Sequence, residues 1–444
     1  MSQALPEFRG YRFPHLNRLW SALCQERELP QLDRWLSRTL REEKAFGRRD
    51  RLYYADVLFA AMRYLQTIVL LEQGYKAQDV KAFPEFYRTQ DASMTAASLW
   101  AEVQALPVES VLFWLAKITD TGGDWPREIT DLSERNLFWS NVKQVLNKAS
   151  MNDVLQGWRP SWQPLLQERA AQSGWQQEDC HRFVQGQNTR PPLWLRVQRA
   201  EDQAAIVEQI VGQGYDLEQD GDALKVVGER GIYQLPAWQE GKLEIQDWAS
   251  QQISRAVDAQ PGEQVWDACA GGGGKTLAIA SAMNNKGAVT ATDIREYKLE
   301  EVKKRAKRAG WFNVRRFAWD AEAPLRLPKE AARQNGFDRV LIDAPCSSCG
   351  TWRRNPDARW RLTEEEIVRL TQLQDKILSQ AAPAVKVGGR LVYATCSWLV
   401  AENEARVEAF LAANPGFSLE RQEVVGYPAQ DADTMFVAVL TRQS

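Results

Sequence analysis

The sequence predicts a multidomain chain: an all-α N-terminal domain, a small α+β module, and a C-terminal α/β domain built on a doubly wound parallel sheet. Three observations carry that reading. Residues 1–150 place apolar side chains at helical spacing with no strand alternation. From about Pro160 the texture shortens into strand, helix and strand. Residues 240–444 alternate buried strands with helices, and repeated βαβ order implies a parallel sheet with helices on both faces.

The totals bound what the chain does. At 444 residues it exceeds one ordinary core. With 44% hydrophobic and 26% charged residues it has the composition of a soluble globular protein. A net charge of -2 argues against a uniformly basic nucleic-acid binder while leaving room for a local basic face. The opening "MSQALPEFRGYRF" carries charge and aromatic residues where a signal peptide would be apolar. The longest apolar run, residues 57–71, is broken by Arg63 and Gln66 and falls short of the roughly 20 residues that span a bilayer, so it reads as one buried helix. Six scattered cysteines form no disulfide framework and point to a reducing, cytoplasmic setting without a membrane partner. The two histidines, His15 and His181, lie far from the cysteine-rich half, so no metal site is expected.

Taken in order, residues 1–150 form the helical domain, with "LNRLWSALCQ" and "VESVLFWLAKI" as amphipathic helices and punctuation at Gly74, Pro84, Pro107 and Gly122-Gly123. Residues 158–236 form the α+β module: "PPLWLRVQR" as a strand, "AEDQAAIVEQIVGQGY" as a helix, "ALKVVG" as a second strand. "LEIQDWASQQISRAV" is read as a linking helix into the last domain, residues 240–444. There "EQVWDACA", "AVTATDI", "FDRVLIDAPC" and "GGRLVYATCSW" are the strands, and "KTLAIASAMN" and "REYKLEEVKKRAKRAG" are helices between them. Thr363 and Glu366 form a capping-box pattern opening a helix with Ile367, Leu370, Leu373 and Ile377 on one face. Ligands bind beyond the carboxyl ends of such strands, where Asp267, Cys269, Asp293, Asp343, Cys346 and Cys396 all fall.

"DACAGGGGKT" is not a phosphate-binding P-loop, because the glycine that pattern requires five residues before Gly274 is Cys269. It fits instead a glycine-rich strand-to-helix turn facing a nucleoside, with Asp293, 26 residues after Asp267, closing the next strand to hold ribose hydroxyls. Sheets binding nicotinamide cofactors and sheets binding S-adenosylmethionine both carry that pattern. Cys346 and Cys349 have the C-x-x-C spacing of a metal or redox pair, but no histidine and no second such pair accompany them.

Taken together, "QDWASQ", "DACAGGGGKT", "TDI", "DAPCSSCGTWRRNPD" and "YATCSW" stand in the order found in RNA cytosine-C5 methyltransferases, and the chain resembles their RsmB-type ribosomal branch along essentially its whole length. "GRRDRLYYADVLFAAMRY" is similar to that family's NusB-like helical domain, and "PPLWLRVQRAED" to the start of its small RNA-binding module. The resemblance implies a Rossmann-like methyltransferase domain using S-adenosyl-L-methionine. Cytosine C5 is a poor nucleophile, and a thiolate added at C6 makes it reactive. By resemblance that thiolate is Cys396, while Cys346 assists breakdown of the adduct; chemistry alone leaves the two open, since DNA cytosine methyltransferases attack with a Pro-Cys cysteine. Asp343 is expected beside the base, where donating to N3 would require it to be protonated. Lys275 supplies positive charge that favours a thiolate. Residues Cys269, Ala270, Gly271, Gly272, Gly273, Gly274 and Lys275, with Asp343, are expected to line the methionine and ribose side of the cofactor. Asp293 takes the ribose and Asp320 the adenine.

The chain departs from the family in having Gly271-Gly272 for Ala-Pro, Val400-Ala401 for Pro-Glu, and Thr434-Met435 for Gly-Phe. Cys349 stands where the family has a small residue and has no assigned role. The expected partner is RNA, small-subunit ribosomal RNA ahead of transfer RNA because of the branch resembled, and the expected state is a monomer. A non-catalytic RNA-binding assembly factor on this fold is the alternative that loss of Cys396 would have favoured. Of two basic clusters, "KKRAKR" reads as a solvated helix face, whereas "WRRNPDARWR" offers guanidinium groups and Trp352 to an RNA strand or forms a structural loop.

Overall fold

The computed structural model describes residues 7–125, 127–227 and 231–444. The chain divides into two compact units, Met1–Arg190 with Trp352–Thr363, and Pro191–Thr351 with Glu364–Ser444.

The first unit is all-helical, with eleven α-helices among the described residues between Phe13 and Gly186. Its centre is the helix Val108–Thr119, in which Val111, Leu112, Phe113, Trp114 and Leu115 are all buried. A helix apolar all round can only persist when others cover every face. Glu72 is buried beside it and is held by the Arg135 guanidinium at 2.6 Å and the Trp114 indole N–H at 2.7 Å, so no charge is left unpaired. The apolar run 57–71 is not one helix but two, Arg48–Arg63 and Leu65–Ala77, bent by 71°. Tyr64 at the break leaves the helical ladder, its N–H shared between the Ala60 and Ala61 carbonyls. Both helices bury their apolar residues in this unit, and no single described helix is long and apolar enough to cross a membrane.

The helices do not stop near residue 150. Gln163–Ser173 and Gln177–Gly186 continue the bundle, so the α+β module begins at Leu193 and not at residue 158. The Trp- and Pro-rich stretch at 158–164 that suggested a boundary is part of the bundle's core, with Trp158 and Trp162 buried.

Trp352–Thr363 closes the same unit, and of the two readings left open for "WRRNPDARWR" the structural loop is the one found. Trp352, Arg353, Arg359 and Trp360 are all buried. Trp352 and Trp360 lie against Trp162 with ring centroids 4.6 and 5.8 Å away. The last carbonyls of a helix have no partner within it and favour positive charge. Arg359 donates to the Arg63 carbonyl at 2.9 Å and Trp360 to the Met62 carbonyl at 2.7 Å, so this segment caps the helix Arg48–Arg63 from outside. Arg63 returns the contact by donating to the Arg353 carbonyl at 2.9 Å.

The second unit holds two sheets. β1 (Leu193–Val197), β2 (Asp216–Asp220), β3 (Ala223–Val227) and β4 (Leu243–Ile245) form an antiparallel sheet in the order β2-β3-β1-β4. β4 occupies the start of what reads as a linking helix; the helix proper, Trp248–Ala256, starts after Asp247, whose carboxylate accepts from the Ala249 N–H.

β5 (Gln264–Asp267), β6 (Ala288–Asp293), β7 (Val314–Ala318), β8 (Phe337–Asp343), β9 (Val385–Thr395), β10 (Phe417–Gly426) and β11 (Thr434–Arg442) form the larger sheet in the order β10-β11-β9-β8-β5-β6-β7. β5 to β9 are mutually parallel, and β11 and β10 add an antiparallel edge. Alternate residues serve opposite faces: Val265, Leu341 and Val392 pack into one core, and Trp266, Val340, Ile342 and Tyr393 into the other. Both faces are covered, as a parallel sheet requires.

Arg359→Ala should lower the stability of the helical unit by about 2–4 kcal/mol, because two buried carbonyls lose their donor and Trp352 loses its cover. Arg359→Lys should not restore it, since an ammonium cannot fork between the Arg63 and Gln187 carbonyls. Urea unfolding of the full chain reads both.

Candidate active site

The strand order reverses at β5: β6 and β7 follow on one side, while β8 and β9 lie on the other. Side chains beyond the ends of β5 and β8 therefore face a crevice with no crossover covering it. Asp267 ends β5 and Asp343 ends β8. The helix Gly274–Ala282 starts from the glycine turn, so its first turn reaches both carboxylates: Lys275 Nζ donates to Asp343 Oδ2 at 2.7 Å, and Thr276 Oγ1 to Asp267 Oδ2 at 2.6 Å. Burial disfavours the Lys275 ammonium, but the charge and hydrogen bond of Asp343 outweigh it and raise its pKa. Asp267 is fully buried with Oδ1 unpartnered, and burial pushes its carboxyl up to about 7.

The turn itself needs glycine at Gly271 and Gly273, with φ of +51° and +86°. A Cβ at Gly273 would also come within 3.0 Å of Val302, whereas one at Gly271 would meet open space. That open face adjoins Asp293, whose carboxylate accepts from the N–H groups of Gly271 at 3.0 Å and Arg295 at 2.9 Å. Burial raises the Asp293 carboxyl, but Arg295 and the backbone donors prevail and hold it below the usual range. The exposed Arg295 guanidinium also donates to that carboxylate at 3.0 and 3.2 Å, and an open glycine turn beside a carboxylate held by so mobile a partner fits a ribose-bearing cofactor that takes its place. Ala270 ties the turn to β6 through Thr292 at 2.8 Å, and Cys269 lies beneath it, its thiol pushed well up by burial and then by neighbouring carboxylates. Asp320 lies exposed beyond β7 at the same end of the sheet, but its carboxylate accepts from the Glu322 N–H in its own turn and touches none of the other candidates.

β8 and β9 are adjacent and in register, Asp343 beside Ala394. The segments leaving them consequently run together. Cys346 Sγ and Cys396 Sγ are 3.2 Å apart, both half-buried and both free thiols. Their environments split them. Cys396 is lowered from the ordinary thiol value first by the hydrogen bond from Cys346, against burial, with help from Ser348 Oγ at 3.5 Å and the Lys275 charge. Cys346 is raised well above it by the same hydrogen bond, by burial and by the charges of Cys396 and Glu402. A thiol whose pKa is lowered by a second thiol in contact is a candidate nucleophile with a proton donor beside it. The structure thus brings Lys275, Asp343, Cys346 and Cys396 to one place.

Several supporting residues lie in or beside the motifs but carry no role assigned from the sequence. Glu402, fully buried, accepts from Ser347 N at 2.8 Å, Ser347 Oγ at 2.5 Å and Gln374 Nε2 at 3.1 Å, which pins the turn after Cys346. Asn403 closes the turn that follows β9: its side-chain carbonyl accepts from Thr395 Oγ1 at 2.5 Å and its amide donates to the Ser397 carbonyl at 2.9 Å. Gly350 N donates to the Cys396 carbonyl at 3.0 Å, and a Cβ there would fall 1.8 Å from the Thr434 carbonyl oxygen. Cys349 packs in the same knot, 3.1 Å from Ser397 Oγ and accepting from the Trp398 N–H. Burial pushes its thiol up to about 12, so it is a small core residue here and not half of a reactive pair.

A sequence profile of the family described as 16S rRNA methyltransferase RsmB/F matches residues 254–441. The ribosomal RNA small subunit methyltransferase B of Serratia proteamaculans is 35% identical over 278 residues, which span 62% of this chain and 62% of that relative, less than two thirds of its length. The protein of the same name from Salmonella arizonae is 32% identical over 317 residues, covering 69% of this chain and 71% of its own. The crystal structure of a methyltransferase homolog protein from Pyrococcus horikoshii aligns with a TM-score of 0.55 at 23% identity, over 67% of this chain and all of that one, and shows a shared fold.

The buried Asp267 carboxyl gives the site a pH signature. Its folded pKa of about 7 lies above the unfolded value, so its contribution to stability is complete below about pH 4 and is lost as pH rises through about 7. Asp267→Asn should flatten that fall, closing most of the gap between urea midpoints at about pH 5 and pH 8. Parallel pH profiles for the two proteins would contradict the assignment.

Proposed function

The chain belongs to the 16S rRNA methyltransferase RsmB/F family, and we propose that it transfers the methyl group of S-adenosyl-L-methionine to C5 of a cytosine in RNA through a covalent adduct with Cys396. The 3.2 Å contact of two unlike thiols beside the Lys275–Asp343 pair is the observation that carries this reading. Two in contact suit a reaction that forms a carbon–sulfur bond and then breaks it.

The cofactor supplies an electrophilic methyl on a sulfonium. Asp293 and the open turn at Gly271–Gly274 would hold its ribose, with Asp320 toward the adenine. The Cys396 thiolate adds to C6 of the cytosine, and electron density moves through C5 toward N3. Paired with each other, Asp343 and the Lys275 ammonium would meet that developing charge with a proton or a hydrogen bond. C5 then takes the methyl. The C5 proton leaves to a base, and the electron pair of its C–H bond restores the double bond as Cys396 is expelled from C6. Cys346 fits the base: once Cys396 is a neutral thioether, the charge that raised the Cys346 thiol is gone, its proton passes to solvent, and the thiolate left behind takes the C5 proton. The target base must be unstacked to reach the thiols, at a cost of about a few kcal/mol. Small-subunit ribosomal RNA is the substrate proposed, from the family. The helical unit, proposed to be NusB-like, and the four-stranded sheet would hold it.

Trapping tests the division of labour. With RNA and cofactor, Cys346→Ala should accumulate a protein–RNA adduct stable to denaturing electrophoresis, and Cys396→Ala should form none. The reverse pattern would exchange the two roles. Lys275→Met should keep the fold and slow methyl transfer by about a hundredfold or more, the scale for losing one preorganised charge.

A further inference from the structure

The stretch "KKRAKR", residues 303–308, reads in the sequence as a solvated helix face, and the structure divides it. Lys303, Lys304 and Lys307 are exposed on the helix Glu296–Ala309. Arg305 and Arg308 turn the other way, toward Glu244 at the centre of β4. Glu244 is 1% exposed, and both its oxygens are taken: Arg308 donates to Oε1 at 2.5 Å and Arg305 to Oε2 at 2.8 Å. A buried carboxylate between two guanidinium groups thus ties the four-stranded sheet to a helix packed on β6 and β7.

Arg305 also reaches the glycine turn. Its second Nη donates to the carbonyl oxygen of Gly272. A peptide group is planar, so whatever holds its C=O and its N–H sets its orientation. The Gly272–Gly273 peptide is held on both edges, by Arg305 at the carbonyl and by the Ala270 carbonyl, which accepts from the Gly273 N–H at 2.9 Å. Four successive glycines lose more backbone freedom on ordering than other residues would, and Gly271-Gly272 stand where the family carries Ala-Pro, whose proline fixes its own φ. Here a side chain supplies the restraint. Arg308 is the internal comparison: it shares Glu244 and lies over the Trp238 ring, 4.5 Å from its centroid, but among the described residues it makes no hydrogen bond to the turn.

We propose that Arg305 is a positioning residue for the cofactor: anchored on Glu244, it sets the peptide plane at Gly272 and so orders the turn that receives the cofactor. β4 thereby contributes to cofactor affinity without touching the cofactor, because a turn ordered in advance leaves less to be ordered on binding. The proposal rests on the reading above that places S-adenosyl-L-methionine at this turn.

The test uses the full chain without RNA, in two measurements. Hydrogen exchange followed by mass spectrometry reads the order of the turn in the unliganded protein, and calorimetry with S-adenosyl-L-methionine reads affinity. Arg305→Met should speed exchange in the peptide holding residues 270–274 by about tenfold and weaken cofactor binding by about fivefold or more. Glu244→Gln should move both in the same direction. The double variant should bind no more weakly than Arg305→Met alone, since Glu244 acts through Arg305. Arg308→Met should leave both readings within about twofold, whereas a general loosening of the contact between β4 and the helix would move them as far as Arg305→Met does. Unchanged exchange in Arg305→Met, additive losses in the double variant, or an equal effect of Arg308→Met would overturn the proposal. If Glu244→Gln does not fold, the comparison of Arg305→Met with Arg308→Met still decides. Asp293→Ala separates the proposal from the reading beneath it. Full affinity in both Asp293→Ala and Arg305→Met would put the cofactor elsewhere and sink the reading, and the proposal with it; lost affinity in Asp293→Ala alone would overturn the proposal and leave the reading standing.

Discussion

The sulfur–sulfur contact between Cys346 and Cys396 depends on one constraint, the adjacency and register of β8 and β9. Two cysteines 50 residues apart meet because parallel neighbours deliver their following loops to the same edge. Everything around the pair then works to keep those loops from drifting. Glu402 holds the Cys346 turn, Asn403 closes the Cys396 turn on itself, and Gly350 lets the two backbones approach. The pair is therefore a product of sheet topology trimmed by buried polar residues, and loosening any of these contacts acts on the chemistry through geometry.

A second constraint sits at the switch point. The glycine turn starts a helix whose first two side chains, Lys275 and Thr276, reach the carboxylates ending β8 and β5. One short segment thus shapes the cofactor face and sets the charge beside the thiols. Downstream of the Cys346 turn, Trp352–Thr363 belongs to the helical unit, where Arg359 and Trp360 satisfy helix-end carbonyls.

Much of this was legible in the sequence, and the omissions share a cause. The parallel strands and the residues at their ends were readable because each strand is a local apolar run closed by an Asp or Cys. The antiparallel β10 was not, since "FSLERQEVVG" alternates charge and apolar residues irregularly at an exposed edge. Arg353, Arg359 and Trp360 have the composition of an RNA-binding loop; their partners Met62, Arg63, Thr189 and Gln187 lie 160 to 300 positions away, and only the tertiary fold reveals them. The same holds for Glu402, whose sequence context gives no hint of Ser347 or Gln374. Helices at 163–186 were obscured by the Trp and Pro residues before them, which signal a loop locally and fill a core in three dimensions.

The central claim is that this constellation of thiols methylates C5 of cytosine. Its most direct test is to incubate the protein with S-adenosyl-L-methionine carrying a labelled methyl and small-subunit ribosomal RNA lacking base modifications, then digest the RNA and identify the labelled nucleoside by mass spectrometry. Label in 5-methylcytidine is the result expected. Label on another base or another position of cytosine, or none in any RNA despite demonstrated cofactor binding, would contradict it.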